Sequence, residues 1–236
     1  MRLDYAGARK NFGPFHQSLY MNLHILGPGF STFVRSVRLY CEEKGLTYTH
    51  GMTLQGQPVE WNSETHRAYH PFGKVPVLIH DGGYVFETNA IFRYLDAAFP
   101  ERSHLPSDLA ARTEIDQWSS ALATTVDKHV VRSYLLVVDG PVPQKTVDPN
   151  ALARAEARVE AMLAILDRQL GERPFLCGER YSSADALVTP MLDYLTTIAR
   201  PVNWLDAWPG LYAYLERMRA RSSGRAVLAP VAFNVG

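Results

Sequence analysis

Short apolar runs and one amphipathic stretch mark the first hundred residues as a mixed domain of strands and helices. Leu23 to Leu26 predicts a strand, and the alternation from Leu46 to Leu54 predicts a second one. Between them, Ser31 or Thr32 caps a predicted helix that ends at Gly45. A strand, a helix and a strand in this order form a right-handed parallel unit. We expect an inward face of Phe33, Val34, Val37 and Cys41 and an outward face of Arg35, Arg38, Glu42 and Glu43.

The next pattern predicts a β-hairpin followed by a helix. Val75 to Ile79 is β-branched and aliphatic, Asp81-Gly82-Gly83 favours a tight reversal, and Tyr84 to Phe86 pairs back as a second strand. Thr88 can then cap a helix whose apolar positions recur at helical spacing until Pro100 stops it.

The pattern changes near residue 100, where strands give way to helices alone. The N-terminal order β-α-β-(α)-β-β-α predicts a four-stranded mixed sheet, with an ambiguous polar segment at 55–69. We expect an extension at 1–20, an α/β domain at 21–99, a linker at 100–107 and an all-α domain at 108–236. The helices expected in the last of these cover residues 108–138, 150–170, 186–198 and 208–221.

Charge balance and cysteine count exclude several classes of partner. The chain has 236 residues, and its 24 basic and 24 acidic residues give no net charge. This balance offers no electrostatic reason to bind nucleic acid, and no apolar run reaches the roughly eighteen residues that suggest a membrane span. Cys41 and Cys177 are the only cysteines and lack the spacing of a metal site. We therefore expect a cytoplasmic protein without a metal, whose partners are small molecules or proteins.

Two features of the hairpin suit a peptide-like ligand. Pro76 has no N–H to donate to a ladder, so its place in a strand implies an edge, a bulge or a cis peptide bond. Val75 would then offer its backbone groups to a ligand. Glu87 and Thr88 place a carboxylate and a hydroxyl at a helix start, where the dipole favours an anion. An extended peptide with an α-amino acid head would satisfy these features together.

The chain resembles the cytosolic glutathione S-transferases. The resemblance rests on GPGFSTFVR, HPFGKVPVL and FETNAIFRYL, and the Val-Pro followed by Glu-Thr-x-Ala-Ile is its most specific part. It makes residues 21–99 a thioredoxin-like domain and continues through the helical part. Within this family the chain most resembles the serine-type members, which include the phi and theta classes and bacterial proteins. This resemblance implies a homodimeric enzyme with glutathione as co-substrate.

The resemblance assigns the thiol chemistry to Ser31, whose hydroxyl would donate its proton to the glutathione sulfur. Moving a thiol pKa from about 8.5 to about 7 takes roughly 2 kcal/mol. One hydrogen bond to a charged acceptor supplies about 1.5–3 kcal/mol, so a single hydroxyl suffices. The adjacent Thr32 remains an open alternative.

The same resemblance assigns the rest of the glutathione site. Val75 and Pro76 would hold the peptide main chain, and Lys74 would lie near the glycyl carboxylate. Glu87 and Thr88 would bind the α-amino and α-carboxylate groups of the γ-glutamyl residue. The family more often has serine at the position of Thr88, so the added methyl group leaves less room for the bound γ-glutamyl group.

The second substrate is expected between the domains, where aromatic residues suggest an apolar electrophile. We expect Phe30, Phe33 and the helix bearing Trp118, His129 and Tyr134 to border it. Asp185, in a capping box with Ser182, is interpreted as structural. Two alternatives stay open, a glutathione-dependent isomerase, dehalogenase or peroxidase and a non-catalytic binding module of the same fold.

Overall fold

The computed structural model describes residues 23–138, 147–197 and 203–228, and the extension predicted at 1–20 lies outside them. The strands are β1 (Leu23–Leu26), β2 (Tyr48–Gly51), β3 (Thr53–Leu54), β4 (Gln57–Pro58), β5 (Val77–His80) and β6 (Gly83–Phe86). The helices are α1 (Thr32–Glu43), α2 (Glu64–Tyr69), α3 (Thr88–Ala98), α4 (Leu109–Ala121), α5 (Leu136–Val138), α6 (Pro149–Leu170), α7 (Ser183–Thr197), α8 (Pro209–Ala220) and α9 (Ser222–Val227). A π-helical segment, Leu122–Leu135, joins α4 to α5.

The predicted four-stranded mixed sheet is confirmed, with the order β2-β1-β5-β6. β1 pairs parallel with β2 and antiparallel with β5, and β5 pairs antiparallel with β6. Ile25 of β1 lies opposite Leu78 of β5, and neither is exposed. Most residues of these two central strands are buried, which fits their largely apolar sequences.

The strand predicted at 46–54 is shorter than its alternation suggested. The chain leaves the main sheet after Gly51, and β3 and β4 form a separate two-stranded hairpin around Gly56. A bond from the amide of Val59 to the carbonyl of Met52 (2.8 Å) extends this hairpin. An alternating pattern continues across such a break, because it reports exposure and not pairing.

Helix α1 begins as predicted, but one residue predicted for its outward face is buried. Ser31 is the N-cap residue, and the helix ends before Gly45, which has φ of 60°. Arg35, expected to point outward, is only 2% exposed and binds Asp193 of α7 at 3.2 Å. The partner lies 158 residues away in sequence, so the local pattern of α1 could not reveal it.

The second part of the chain is helical, as predicted. No strand follows β6 in the described ranges apart from an isolated bridge between Phe175 and Gly178. The helix expected at 208–221 is α8, which ends at Ala220 because Arg221 is extended, and the short α9 that follows was not predicted. No helix of the described part is long and apolar enough to cross a bilayer.

Asp185 has the structural role that its capping box indicated. It is 0% exposed and accepts hydrogen bonds from the amides of Leu176 (2.9 Å) and Ser182 (2.8 Å) and from the hydroxyl of Tyr214 (2.8 Å). Burial raises the pKa of this carboxyl, against the lowering effect of those bonds. It fixes the start of α7, and α7 packs against α1, so the capping box helps to set how the two domains meet.

Candidate functional site

A cavity of about 780 Å³ lies between the α/β domain and the helices. All six residues predicted for the site line it: Ser31, Lys74, Val75, Pro76, Glu87 and Thr88. They come from three separate segments of the α/β domain, the start of α1, the loop before β5 and the start of α3. The opposite wall is formed by α4, the π-helical segment, α5 and α7.

Gly27 lets the first two of these segments approach each other closely. It follows β1 with φ of 154°, and a Cβ atom there would lie 2.4 Å from Cγ2 of Val34 and 3.1 Å from Cβ of Val75. A side chain would therefore push α1 and the Val75 loop apart. Glycine is required by this contact and by the backbone angle together.

The structure of the loop before β5 shows how the backbone accommodates Pro76. The Val75–Pro76 peptide bond is cis, and the ladder of β5 begins one residue later, at Val77. β5 is an internal strand, so of the three alternatives the cis bond is correct and the edge strand is wrong. Val75 stands outside the strand pairs and lines the cavity, which leaves it placed for an extended ligand.

A buried histidine supports this loop from behind. The ring of His66 is 0% exposed, its Nδ1 accepts from the amide of Asn62 (3.0 Å), and its Nε2 donates to the carbonyl of Lys74 (3.0 Å). The Lys74 side chain is exposed at the cavity rim. His66 thereby fixes the backbone next to Val75, while the side chain of Lys74 remains exposed to solvent.

The start of α3 differs from the predicted cap. Glu87 is the N-cap residue, without a side-chain capping bond, and Thr88 is the first residue of the helix. Glu87 has φ of 68°, an unfavourable angle for a residue with a side chain, and is exposed. Thr88 is 6% exposed. The free N–H groups at the start of this helix can bind an anion, and a carboxylate and a hydroxyl lie beside them.

Ser31 both caps α1 and lines the cavity. Its Oγ accepts from the amide of Val34 at 3.5 Å, and this bond uses an oxygen lone pair. The hydroxyl hydrogen therefore remains available to an acceptor in the cavity. Thr32 lines the same cavity but is 6% exposed, whereas Ser31 is half-buried.

Two backbone carbonyls next to Ser31 are held by side chains at the domain boundary. The hydroxyl of Tyr194 donates to the carbonyl of Phe30 at 2.5 Å, and Nε of Arg35 donates to the carbonyl of Gly29 at 3.2 Å. Tyr194 belongs to α7 and also lines the cavity. The start of α1 is thus tied to the helical domain.

The helical wall carries different side chains from those expected. Phe30 and Phe33 line the cavity as predicted, but Trp118, His129 and Tyr134 do not. Tyr134 is buried and accepts a hydrogen bond from Trp204 (2.9 Å). The residues that do line this wall are Ser120, Ala123, Thr124, Asp127, Val131, Arg132, Leu135, Leu136 and Tyr194. Tyr134 belongs to the hydrophobic core, and Trp118 packs against that core.

One ion pair interrupts this largely apolar wall. Asp127 is 6% exposed, and its Oδ2 accepts from Nε of Arg132 at 2.9 Å. Burial raises the pKa of the Asp127 carboxyl, although Arg132 and Lys74 oppose the shift. The guanidinium of Arg132 lies 5.7 Å from the ring centre of Phe33, so the pair reaches the wall beside Ser31.

Known proteins share this architecture over nearly the whole chain. Residues 28–103 match the family model for the N-terminal domain of glutathione S-transferases, and residues 149–217 match that for the C-terminal domain. A probable glutathione S-transferase of rice, Oryza sativa subsp. japonica, is 30% identical over 220 residues, which cover 87% of this chain and 88% of the rice protein. The chain belongs to the glutathione S-transferase family.

Further comparisons agree with this membership. Glutathione S-transferase F10 of Arabidopsis thaliana is 26% identical over 89% of this chain and 97% of its own length. The crystal structure of a theta class glutathione S-transferase from Xanthomonas axonopodis pv. citri, with glutathione bound, superposes with a TM-score of 0.72 at 26% identity. That alignment covers 90% of this chain and 99% of the Xanthomonas protein.

Several residues of this glutathione S-transferase site were not assigned from the sequence. They include Trp61, which is 55% exposed at the cavity rim, and His66, Asp127 and Tyr194. Trp61 falls in the polar segment that the pattern left ambiguous. Tyr194 acts through a contact with Phe30, 164 residues away, which the local sequence could not reveal. His66 and Asp127 contact residues within eight positions of themselves, but no recognised motif marks them. The described residues hold no group of three or more His, Cys, Asp or Glu placed to bind a metal ion.

Proposed function

We propose that this protein is a glutathione transferase with a serine-type site, in which Ser31 stabilises the glutathione thiolate. The observation that carries the proposal is the convergence of Ser31, the cis Val75–Pro76 loop and the start of α3 on one cavity closed by the helical domain. The family membership supplies the substrate class, and the six residues supply matching chemistry for each part of the tripeptide.

The glutathione end of the proposal follows from charge and shape. Val75, outside the ladder, would pair its backbone with the cysteinyl unit, and Pro76 fixes the direction of that backbone. Glu87 would bind the α-ammonium group, and Thr88 with the free N–H groups of α3 would bind the α-carboxylate. Lys74, exposed at the rim, would pair with the glycyl carboxylate.

The chemical step needs one hydrogen bond and good placement. The Ser31 hydroxyl donates to the sulfur, which lowers the thiol pKa so that its proton leaves to solvent. The thiolate then forms a bond to an electrophilic carbon of an apolar substrate held against the helical wall, and for an aryl chloride the bonding electron pair leaves with chloride. Proximity supplies much of the rate, because both reactants occupy one cavity.

The subclass, the assembly and the location are part of the same proposal. An F10 relative and a theta class structure support a phi- or theta-like member. We infer a cytoplasmic homodimer whose domains span 21–99 and 108–236, joined by a linker at 100–107. No feature of the cavity favours isomerisation, dehalogenation or peroxide reduction over conjugation.

The decisive test compares hydroxyl variants. Ser31→Ala should still bind immobilised glutathione but conjugate chlorodinitrobenzene with kcat lower by about 10- to 100-fold, which corresponds to a bond of about 1.5–3 kcal/mol. Ser31→Thr keeps both the hydroxyl and the cap and should recover much of the rate, which separates chemistry from helix stability. Thr32→Val is the matched control and should retain activity.

Two results would contradict the proposal. Equal turnover by Ser31→Ala and wild type would move the role to Thr32 or to backbone amides. Failure of the wild type to be retained on immobilised glutathione would favour a non-catalytic module of the same fold.

A further inference from the structure

The peptide unit between Phe30 and Ser31 is held at both of its ends. Its carbonyl oxygen accepts from the Tyr194 hydroxyl at 2.5 Å, and its N–H, which belongs to Ser31, donates to the carbonyl of Pro28 at 3.1 Å. A peptide unit is planar, so fixing these two atoms fixes the plane from which the Ser31 side chain starts. The first of the two anchors comes from another domain.

The anchor itself is rigid because it is part of a buried network. The Arg35 guanidinium lies 4.5 Å from the centre of the Tyr194 ring and binds Asp193, and the side chains of this ion pair are each 3% exposed. Arg219 binds the other oxygen of Asp193 at 2.7 Å. Arg35 also donates to the carbonyl of Gly29, so two consecutive carbonyls of the Ser31 loop are held.

The Tyr194 hydroxyl is protonated and can therefore donate to the Phe30 carbonyl. Burial raises the pKa of Tyr194, although Arg35 acts in the opposite direction, so the hydroxyl keeps its proton at neutral pH. A carbonyl can only accept, and Tyr194 is therefore the donor.

We propose that Tyr194 is a positioning residue for the reaction and that, from α7, it sets where the Ser31 hydroxyl meets the sulfur. The inference rests on the proposed function. Its consequence is that the helical domain takes part in thiolate stabilisation as well as in holding the electrophile. A hydrogen bond to a thiolate depends on placement, and a loop free to shift by a fraction of an ångström would lose part of it.

The test removes one oxygen atom. Tyr194→Phe keeps the ring against Arg35 and the cavity and removes the hydroxyl that donates to the carbonyl of Phe30. We expect the apparent pKa of the bound thiol, followed by thiolate absorbance in the ultraviolet, to rise by about half a unit to one unit. At neutral pH kcat should fall about three- to tenfold. The calorimetric dissociation constant for glutathione should stay within about twofold, because the contacts proposed for the two ends and the main chain of the tripeptide supply most of the affinity.

Tyr134→Phe is the matched control. It also loses a buried hydroxyl and a hydrogen bond, the one with Trp204 at 2.9 Å, within the helical domain. It should lower thermal stability without changing the thiol pKa. If Tyr194→Phe behaves in the same way, Tyr194 is only structural and the inference is overturned.

Hydrogen exchange of the free proteins adds a measurement that needs no glutathione. Amides of residues 29–34 should exchange faster in Tyr194→Phe than in wild type, with no such change in Tyr134→Phe. Exchange at the wild-type rate would overturn the inference even if activity fell. A wild-type protein that binds no glutathione would instead remove the proposed function, and the exchange data would then decide alone whether Tyr194 orders the loop.

Discussion

The two walls of the cavity are built in different ways. The α/β wall uses short local motifs: a cap at Ser31, a cis Val75–Pro76 bond and a helix start at Glu87 and Thr88. The helical wall uses side chains that project from one long helical stretch, among them Ala123 and Asp127. The first wall works largely through backbone groups, whereas the second works through side-chain shape and charge.

This difference separates recognition of a fixed ligand from adaptation to a variable one. Backbone groups presented by a cis proline and a helix start keep their geometry when neighbouring side chains change, which suits a single co-substrate. Side chains on a helix face can be exchanged without altering the fold, which suits a changing set of electrophiles. Variants of the two walls should therefore affect two different binding constants.

The largest effect is expected from Thr88→Val on the α/β wall. The substitution preserves shape and removes the hydroxyl that we assign to the α-carboxylate of glutathione. A hydrogen bond to a charged group contributes about 1.5–3 kcal/mol, so the glutathione dissociation constant should rise about 10- to 100-fold by calorimetry. The KM for the electrophile at saturating glutathione should change little.

Two control variants show whether the effect of Thr88→Val is specific to its hydroxyl. Thr88→Ser keeps the hydroxyl and should bind at least as well as wild type. Thr113→Val removes an exposed hydroxyl on α4 that donates to the carbonyl of Leu109 (2.8 Å), outside the cavity, and should leave binding unchanged. If Thr88→Val binds glutathione normally, the α-carboxylate is held by backbone N–H groups alone.

An intermediate effect is expected from Ala123→Leu on the helical wall. Added bulk at this half-buried position should obstruct the apolar electrophile and raise its KM on the order of tenfold, since a few methylene groups contribute about 1–3 kcal/mol to such selectivity. The glutathione dissociation constant should not change. Ala157→Leu, at an exposed position on α6, controls for added hydrophobic volume. An equal rise in both constants would show that the two walls do not act separately.

The contrast between the walls also explains what could be predicted. The four-stranded mixed sheet, the start of α1 and the six residues of the α/β wall follow from local patterns and from the family resemblance. The prediction of the inward and outward faces of α1 was wrong at Arg35, because its partner Asp193 comes from a distant helix. Trp118 and Tyr134 were expected on the helix that borders the cavity, but they pack at the core, because an aromatic stripe at helical spacing does not show which neighbour it faces.

The smallest effect concerns the pH dependence of stability in the helical wall. Burial raises the pKa of Asp127 above its usual value of 3.8, so in the window just above that value the folded protein holds a proton that the unfolded chain has lost. The free energy of unfolding then decreases as pH rises through this window, because the unfolded state binds fewer protons than the folded state. Asp127→Asn removes the titration, and its stability relative to wild type should improve from pH 3 towards neutrality.

Thermal unfolding of both proteins across that range measures the difference. The effect is small because Arg132, whose side chain is 53% exposed, opposes the burial. Asp116→Asn removes an exposed acid of α4 that pairs with Arg93 at 2.9 Å, and it controls for the loss of one charge. Identical pH profiles for wild type and Asp127→Asn would mean that water solvates this carboxylate. The helical wall would then be wet at its centre and less suited to an apolar electrophile than its side chains indicate.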